Sequence, residues 1–201
     1  MAIEQHSPTT TASAGAERAA DFRAPTPGRR APRAVADAGG GTILAVADVA
    51  GAPADVFRAL TTAEVEHWWR YPGRYHQKDW AAEVRVGGPW RVTVVLDGGG
   101  EVHAWGEFCA LRVPELIVMT RRFDAHPFLG ERETTITYRL EPHDEGGAGG
   151  AGTSLETTRV TVRDEGFVGR AEAAYGNAEI WEQVLGWLDG YLGRARSQED
   201  R

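Results

Sequence analysis

RAEAAYGNAEIWEQVLGWLDGYL, residues 170–192, is the stretch whose reading decides the fold. Ala171, Ala174, Ala178, Trp181, Leu185, Leu188 and Leu192 recur at alternating steps of three and four, which puts them on one helical face. Ile180, Val184, Trp187 and Tyr191 widen that stripe, while Glu172, Glu179, Glu182, Gln183 and Asp189 fall mostly on the other side. The pattern predicts a helix with one buried and one wet face. At about 1.5 Å per residue it spans roughly 35 Å, enough to cross a sheet. The stripe is graded from alanine to Trp and Leu. Small residues leave room and large ones plug a core, so the alanine half is expected to border a cavity.

Upstream, the period changes. Residues 42–49 alternate and read as a strand, and Pro53 suits the first position of a short helix over 54–60. Thr61 or Thr62 opens a second helix that ends in His67-Trp68-Trp69, and 70–78 read as a polar, aromatic loop. Period two then takes over, with strands expected at 79–86, 90–96, 101–113, 115–123, 133–142 and 153–162. Turns fall at DGGG (97–100) and DEGGAGGAG (144–152). The even positions Trp90, Val92, Val94, Leu96, Ala104, Phe108, Val118, Ile136, Tyr138 and Leu140 carry most of the apolar bulk. They are assigned together to the face beneath the long helix.

Residues 1–41 hold almost no large apolar side chains and are expected to be disordered, as is 194–201. The folded domain is placed at 42–193. A formal net charge of −7 argues against a nucleic-acid footprint. Cys109 is the single cysteine, which excludes an intrachain disulfide and a cysteine-cluster metal site. No apolar run approaches the roughly 18 residues of a membrane span. MAIEQHSPTTTASAG, at the start, lacks an apolar signal core, so the expected compartment is the cytoplasm.

Several stretches resemble one family in their order and spacing. They are ADVAGAPADVFRALTTAEVEHWW (47–69), VRVGGPWRVTVV (84–95), GEFCALRVPELIVMT (106–120), the run from TYRLEPH to LETT (137–158) and WEQVLGWLDGYL (181–192). The chain resembles the START-like (SRPBCC) superfamily, and within it the proteins similar to the C-terminal domain of the activator of Hsp90 ATPase. The resemblance implies an α+β helix-grip fold, in which a curved antiparallel sheet wraps a long C-terminal helix and two short helices follow the first strand. It also implies a cavity between sheet and helix. Where that family usually carries Gly just before the Trp of the long helix, this chain has Ile180.

The expected function is binding of a small hydrophobic or aromatic molecule, without catalysis and without a cofactor. Trp68, Trp69, Trp90, Val92, Phe108, Val118, Thr120, Tyr138, Ala174, Ala178 and Trp181 are the candidate ligand-binding residues. The tryptophans stack on a flat ligand, and Thr120 and Tyr138 supply polar contacts. Two other readings stand beside this one: an enzyme like the polyketide cyclases and dehydratases, and a chaperone-binding module. For the enzyme, Tyr138 is the candidate acid and His103 the candidate base, His103 pointing inward only if the strand register slips by one. Glu64 and His67 have the i, i+3 spacing of a metal pair on a helix, but no second pair accompanies them and no metal is expected.

Overall fold

The computed structural model describes residues 30–125, 129–130, 132–143 and 156–199. The period-two stretches form strands. They are β1 (Arg33–Asp37), β2 (Thr42–Ala50), β3 (Arg70–Tyr71), β4 (Tyr75–Ala82), β5 (Pro89–Leu96), β6 (Glu101–Arg112), β7 (Leu116–Phe123), β8 (Thr134–Pro142) and β9 (Thr157–Glu165). Helices α1 (Pro53–Thr61) and α2 (Val65–Trp68) follow β2, and α3 (Ala171–Glu199) closes the order. All described strands belong to one antiparallel sheet in the order β1-β2-β9-β8-β7-β6-β5-β4-β3. This is the α+β helix-grip arrangement, a curved open sheet with α3 against its inner face.

The strand α3 crosses most closely is β2, with β1 beside it. Val184, Leu185, Leu188 and Leu192 are buried there with Ile43, Ala45, Ala47 and Val49. The alanines on β2 let the helix approach closely. Two helix carboxylates fasten it: Glu182 accepts from the Ala34 N–H at 2.9 Å, and Asp189 accepts from the Ala50 N–H at 2.9 Å.

Four expectations are corrected. First, the ordered chain begins before residue 42. Arg33–Asp37 pairs along β2, and Asp48 Oδ2 accepts from the Arg30 N–H at 2.8 Å. RAVAD is short and poor in apolar bulk, but the β2 edge and α3 supply the partners it lacks alone. Second, α3 continues past 193. Gly193 does not adopt a left-handed cap, no proline follows, and Ser197 Oγ donates back to the Gly193 carbonyl at 2.9 Å. Third, 70–78 is a hairpin, with β3 and β4 joined by a turn in which the Arg74 N–H donates to the Tyr71 carbonyl. A bulge at Asp79, at φ 58°, shifts β4 upstream of its expected 79–86. Fourth, β9 spans Thr157–Glu165 and so runs past its expected end at 162, while 153–155 lie outside the described residues. The expected turn at 144–152 lies outside the described residues.

A bulge also resets the faces of β7. In β6 the register slips between Phe108 and Ala110, so Phe108 lies opposite Met119 while Ala110 lies opposite Val118. One extra residue moves every later side chain to the other face. The inner face of β7 therefore carries Ile117, Met119, Arg121 and Phe123, and Val118 and Thr120 point to the outer face. The next pairing, Ile117 opposite Tyr138, restores the even positions of β8 to the inside.

Candidate functional site

The α3 half that carries small residues stands off the sheet. Between it and strands β4 to β8 lies a cavity of about 310 Å³, at the small end of ligand pockets. Its floor is β5 and β6, through Trp90, Val92, Val94 and Ala104. Met119, Arg121 and Phe123 of β7 and Ile136 and Tyr138 of β8 continue the wall, and Leu60, Val65 and Trp69 enter from the two short helices. On α3, Ala173, Gly176, Asn177 and Ile180 face the space, one residue round the helix from the expected stripe.

The aromatic rings are fixed by their polar ends. Trp80 and Trp90 stack with centroids 5.6 Å apart, at 20° between planes. The Trp80 indole N–H donates to the Thr61 carbonyl at 3.3 Å, and that of Trp90 to the Thr120 carbonyl at 3.0 Å. Trp90 pairs with Gly106, and a side chain at Gly106 would collide with the Thr120 carbonyl, so this glycine opens the path for the indole. A satisfied indole leaves an apolar face toward the cavity.

Polar groups in this wall are few. Arg121 is the one charged side chain in the described lining, and it is buried. Its Nε donates to Thr134 Oγ1 at 3.1 Å and its Nη2 to Asp164 Oδ2 at 2.8 Å, and Phe123 lies under the guanidinium at 5.4 Å. Asp164 is fully buried behind the wall, and its Oδ2 also accepts from the Trp181 indole at 3.0 Å. Burial pushes its carboxyl up against the opposing pull of Arg121 and Trp181. Among the described residues, Asp164 Oδ1 and Gln77 Oε1 are buried without a hydrogen-bond partner, and Gln77 lines the cavity. Burial likewise pushes the Tyr138 hydroxyl up, so it stays protonated at neutral pH.

Of the expected site residues, Trp69, Trp90, Val92 and Tyr138 come together on the cavity. The other seven do not line it. Val118 and Thr120 are turned outward by the β6 bulge, and Thr120 Oγ1 accepts from the Glu107 N–H on that side. Phe108, Trp68, Ala174 and Ala178 are buried in the packed core, and the Trp68 indole donates to the Ala59 carbonyl at 3.0 Å. Trp181 also sits behind the lining, edge-on to Tyr138 at 5.8 Å and tilted against Trp69 at 5.8 Å. Ile180 lines the cavity.

His103 points to the outer face, where its Nδ1 lies 2.6 Å from Asp124 Oδ2, both side chains exposed. An outer depression there is lined by Asp79, Arg91, Val92, Thr93, His103, Ala104 and Trp105, of which Val92 and Ala104 also belong to the inner cavity's lining. Glu64 is engaged by Arg58 at 2.7 Å and by the Tyr191 hydroxyl at 3.2 Å. Among the described residues no three His, Cys, Asp or Glu side chains gather as a metal set, and no helix is long and apolar enough to cross a membrane.

Arg121 and Gln77 were missed by pattern reading. Arg121 had one legible signal. Asp164 follows Val160 and Val162 at period two, and a carboxylate in a buried row calls for a cation opposite it.

Comparison with known proteins agrees with this architecture. The family described as "Activator of Hsp90 ATPase homolog 1-like protein" matches over residues 50–193. CV1439 from Chromobacterium violaceum has a similar structure, at 22% identity over 76% of this chain and 97% of that one, with a TM-score of 0.60. A solution structure of a protein from Arthrobacter aurescens is similar at 19% identity, covering 80% and 91%, with a TM-score of 0.65. Ms6760 from Mycobacterium smegmatis is similar at 16% identity, covering 82% and 97%, with a TM-score of 0.61. No curated protein matches the chain.

Proposed function

We propose that this chain, which belongs to the Activator of Hsp90 ATPase homolog 1-like protein family, is a binding domain for a small apolar or aromatic molecule held between its sheet and α3. One observation carries the reading: a cavity of about 310 Å³ walled by indole, phenyl and aliphatic side chains, with the indole N–H groups of Trp80 and Trp90 bonded to backbone carbonyls. Such a wall favours burial of a flat apolar body, at about 25 cal/mol for each Å² removed from water. The binding role is assigned to Trp69, Trp80, Trp90, Val92, Met119 and Tyr138.

The reading is of a carrier or sensor and not a catalyst. Burial raises the Tyr138 hydroxyl above the ordinary phenol range, which makes it a poor proton donor near neutral pH, and His103, the candidate base, faces away from the cavity. The cytoplasm is the compartment proposed for it.

The test is titration of the full chain with N-phenyl-1-naphthylamine, a neutral dye that brightens in apolar surroundings. Saturable binding at one site per chain is expected, competed by small aromatic hydrocarbons and weakened at least tenfold by Val92→Trp. An absence of saturable binding, or binding indifferent to that variant, overturns the reading.

A further inference from the structure

Arg121 is held on three sides. Thr134 takes its Nε, Asp164 takes its Nη2, and the Phe123 ring covers one face. Among the described residues Nη1 has no acceptor, and the side chain belongs to the cavity lining. A guanidinium keeps its charge in any protein environment, and an N–H of it makes a charge-assisted hydrogen bond to a carboxylate oxygen. No other charged side chain is in the described lining, so the cavity offers a ligand one charged handle, the guanidinium, whose counter-ion Asp164 is buried behind the wall. The surrounding walls are mostly apolar, which strengthens a charge-assisted hydrogen bond made there.

We propose that the molecule this cavity takes is an apolar or aromatic monocarboxylate, its ring system among Trp80, Trp90 and Met119 and its carboxylate on Arg121 Nη1. This rests on the binding reading above and adds the chemical class. The three holds on the guanidinium give it a fixed direction before any ligand arrives, and fixed donors cost little ordering on binding. Arg121 is then a specificity residue, selecting acids over neutral isosteres of the same shape.

The experiment compares 2-naphthoate with 2-naphthamide on the full chain by calorimetry, with N-phenyl-1-naphthylamine as the neutral reference. The acid is expected to bind about tenfold or more tighter than the amide. In Arg121→Gln that advantage disappears while the neutral dye still binds. Arg121→Lys, which keeps the charge and loses the held placement of Nη1, should keep only part of it. Equal affinity for acid and amide in the unaltered protein overturns the proposal by itself, whatever the variants do, and so does an advantage that survives Arg121→Gln. If the dye binds and the acid has no advantage, only the carboxylate assignment falls. If neither dye nor acid binds, the cavity reading falls with it.

Discussion

Arg121 on β7 and Asp164 on β9 meet at 2.8 Å across the intervening strand β8, both buried, and Trp181 of α3 donates to the same carboxylate oxygen. One ion pair therefore ties two non-adjacent strands and the long helix together behind the cavity wall.

The two ends of this pair differ in what they can do alone. A carboxyl left without its partner neutralises itself by binding a proton, and a guanidinium cannot. Asp164→Leu should cost about 3–5 kcal/mol, the usual penalty for stranding a buried charge. Arg121→Leu should cost less, and the double variant less than the sum of the two. Urea denaturation of the three proteins checks the order. Equal single costs that simply add would show the pair to be uncoupled.

Asp164 also sets a pH dependence. Its carboxyl is raised by burial, and the ionisable groups facing it are Arg121 on β7, Tyr138 on β8 and Glu165 beside it on β9, while α3 contributes the Trp181 indole N–H. Between its unfolded value near 3.8 and the raised folded value, the native state holds a proton that the unfolded state releases. Its contribution to stability is thus full below that window and is lost as pH rises through the folded value. A carboxylate arriving on Arg121 adds a second negative charge and raises Asp164 further, so acid binding should take up protons and weaken as pH rises. Calorimetry of 2-naphthoate in buffers of different ionisation enthalpy measures the count, and zero uptake contradicts the expectation.

Gly176 and Ala178 are two residues apart on α3 and should respond oppositely. A side chain at Gly176 meets nothing within 4 Å, and the residue lines the cavity. Gly176→Ala should add about 0.5–1 kcal/mol by removing backbone freedom from the unfolded chain. Gly176→Leu should fold normally and exclude the naphthyl dye. Ala178 is buried in packed core, so Ala178→Leu should cost about 1–3 kcal/mol with little effect on the dye. Thermal melts and dye titrations of the three variants separate these outcomes.

Gly106→Ala should destabilise the fold by about 1–3 kcal/mol or more, since the methyl group lands on the Thr120 carbonyl that Trp90 also uses. The indole signal of Trp90, isolated by comparison with Trp90→Phe, should shift at the same time. A variant as stable as the parent would show that β6 and β7 can part there without loss.

Deleting residues 1–38 should lower the melting temperature, because it removes β1 and the Arg30 N–H bond to Asp48. A chain beginning at Arg30 retains every described contact and should melt with the full-length protein. Identical melts for all three would remove β1 from the stable fold.

The elements were largely legible because period is a local property. The stripe on 170–192 appears as α3, and the alternating runs appear as β5, β6, β7 and β8. The site was less legible because it depends on which face each strand presents. That is decided by single-residue bulges at Cys109 and Asp79, neither marked by a glycine or proline at the bulge itself. The β6 slip exchanged Val118 and Thr120 for Met119 and Arg121. On α3 the error was one of rotation: the stripe Ala174, Ala178, Trp181 is buried in the core, and the neighbouring row Ala173, Asn177, Ile180 meets the cavity. RAVAD was invisible for a different reason, since its order is supplied by distant partners.

The neighbour of β2 in the sheet is β9, and Thr158 Oγ1 donates to the Gly51 carbonyl across 107 residues of sequence. During synthesis β2 therefore emerges long before the strand that completes it, with its apolar row Ile43, Ala45, Ala47 and Val49 uncovered until β9 and α3 leave the ribosome. Closing such a long loop precedes the contacts that reward it, which slows the folding of this domain. Until then the edge of β2 is open to pairing with the wrong strand.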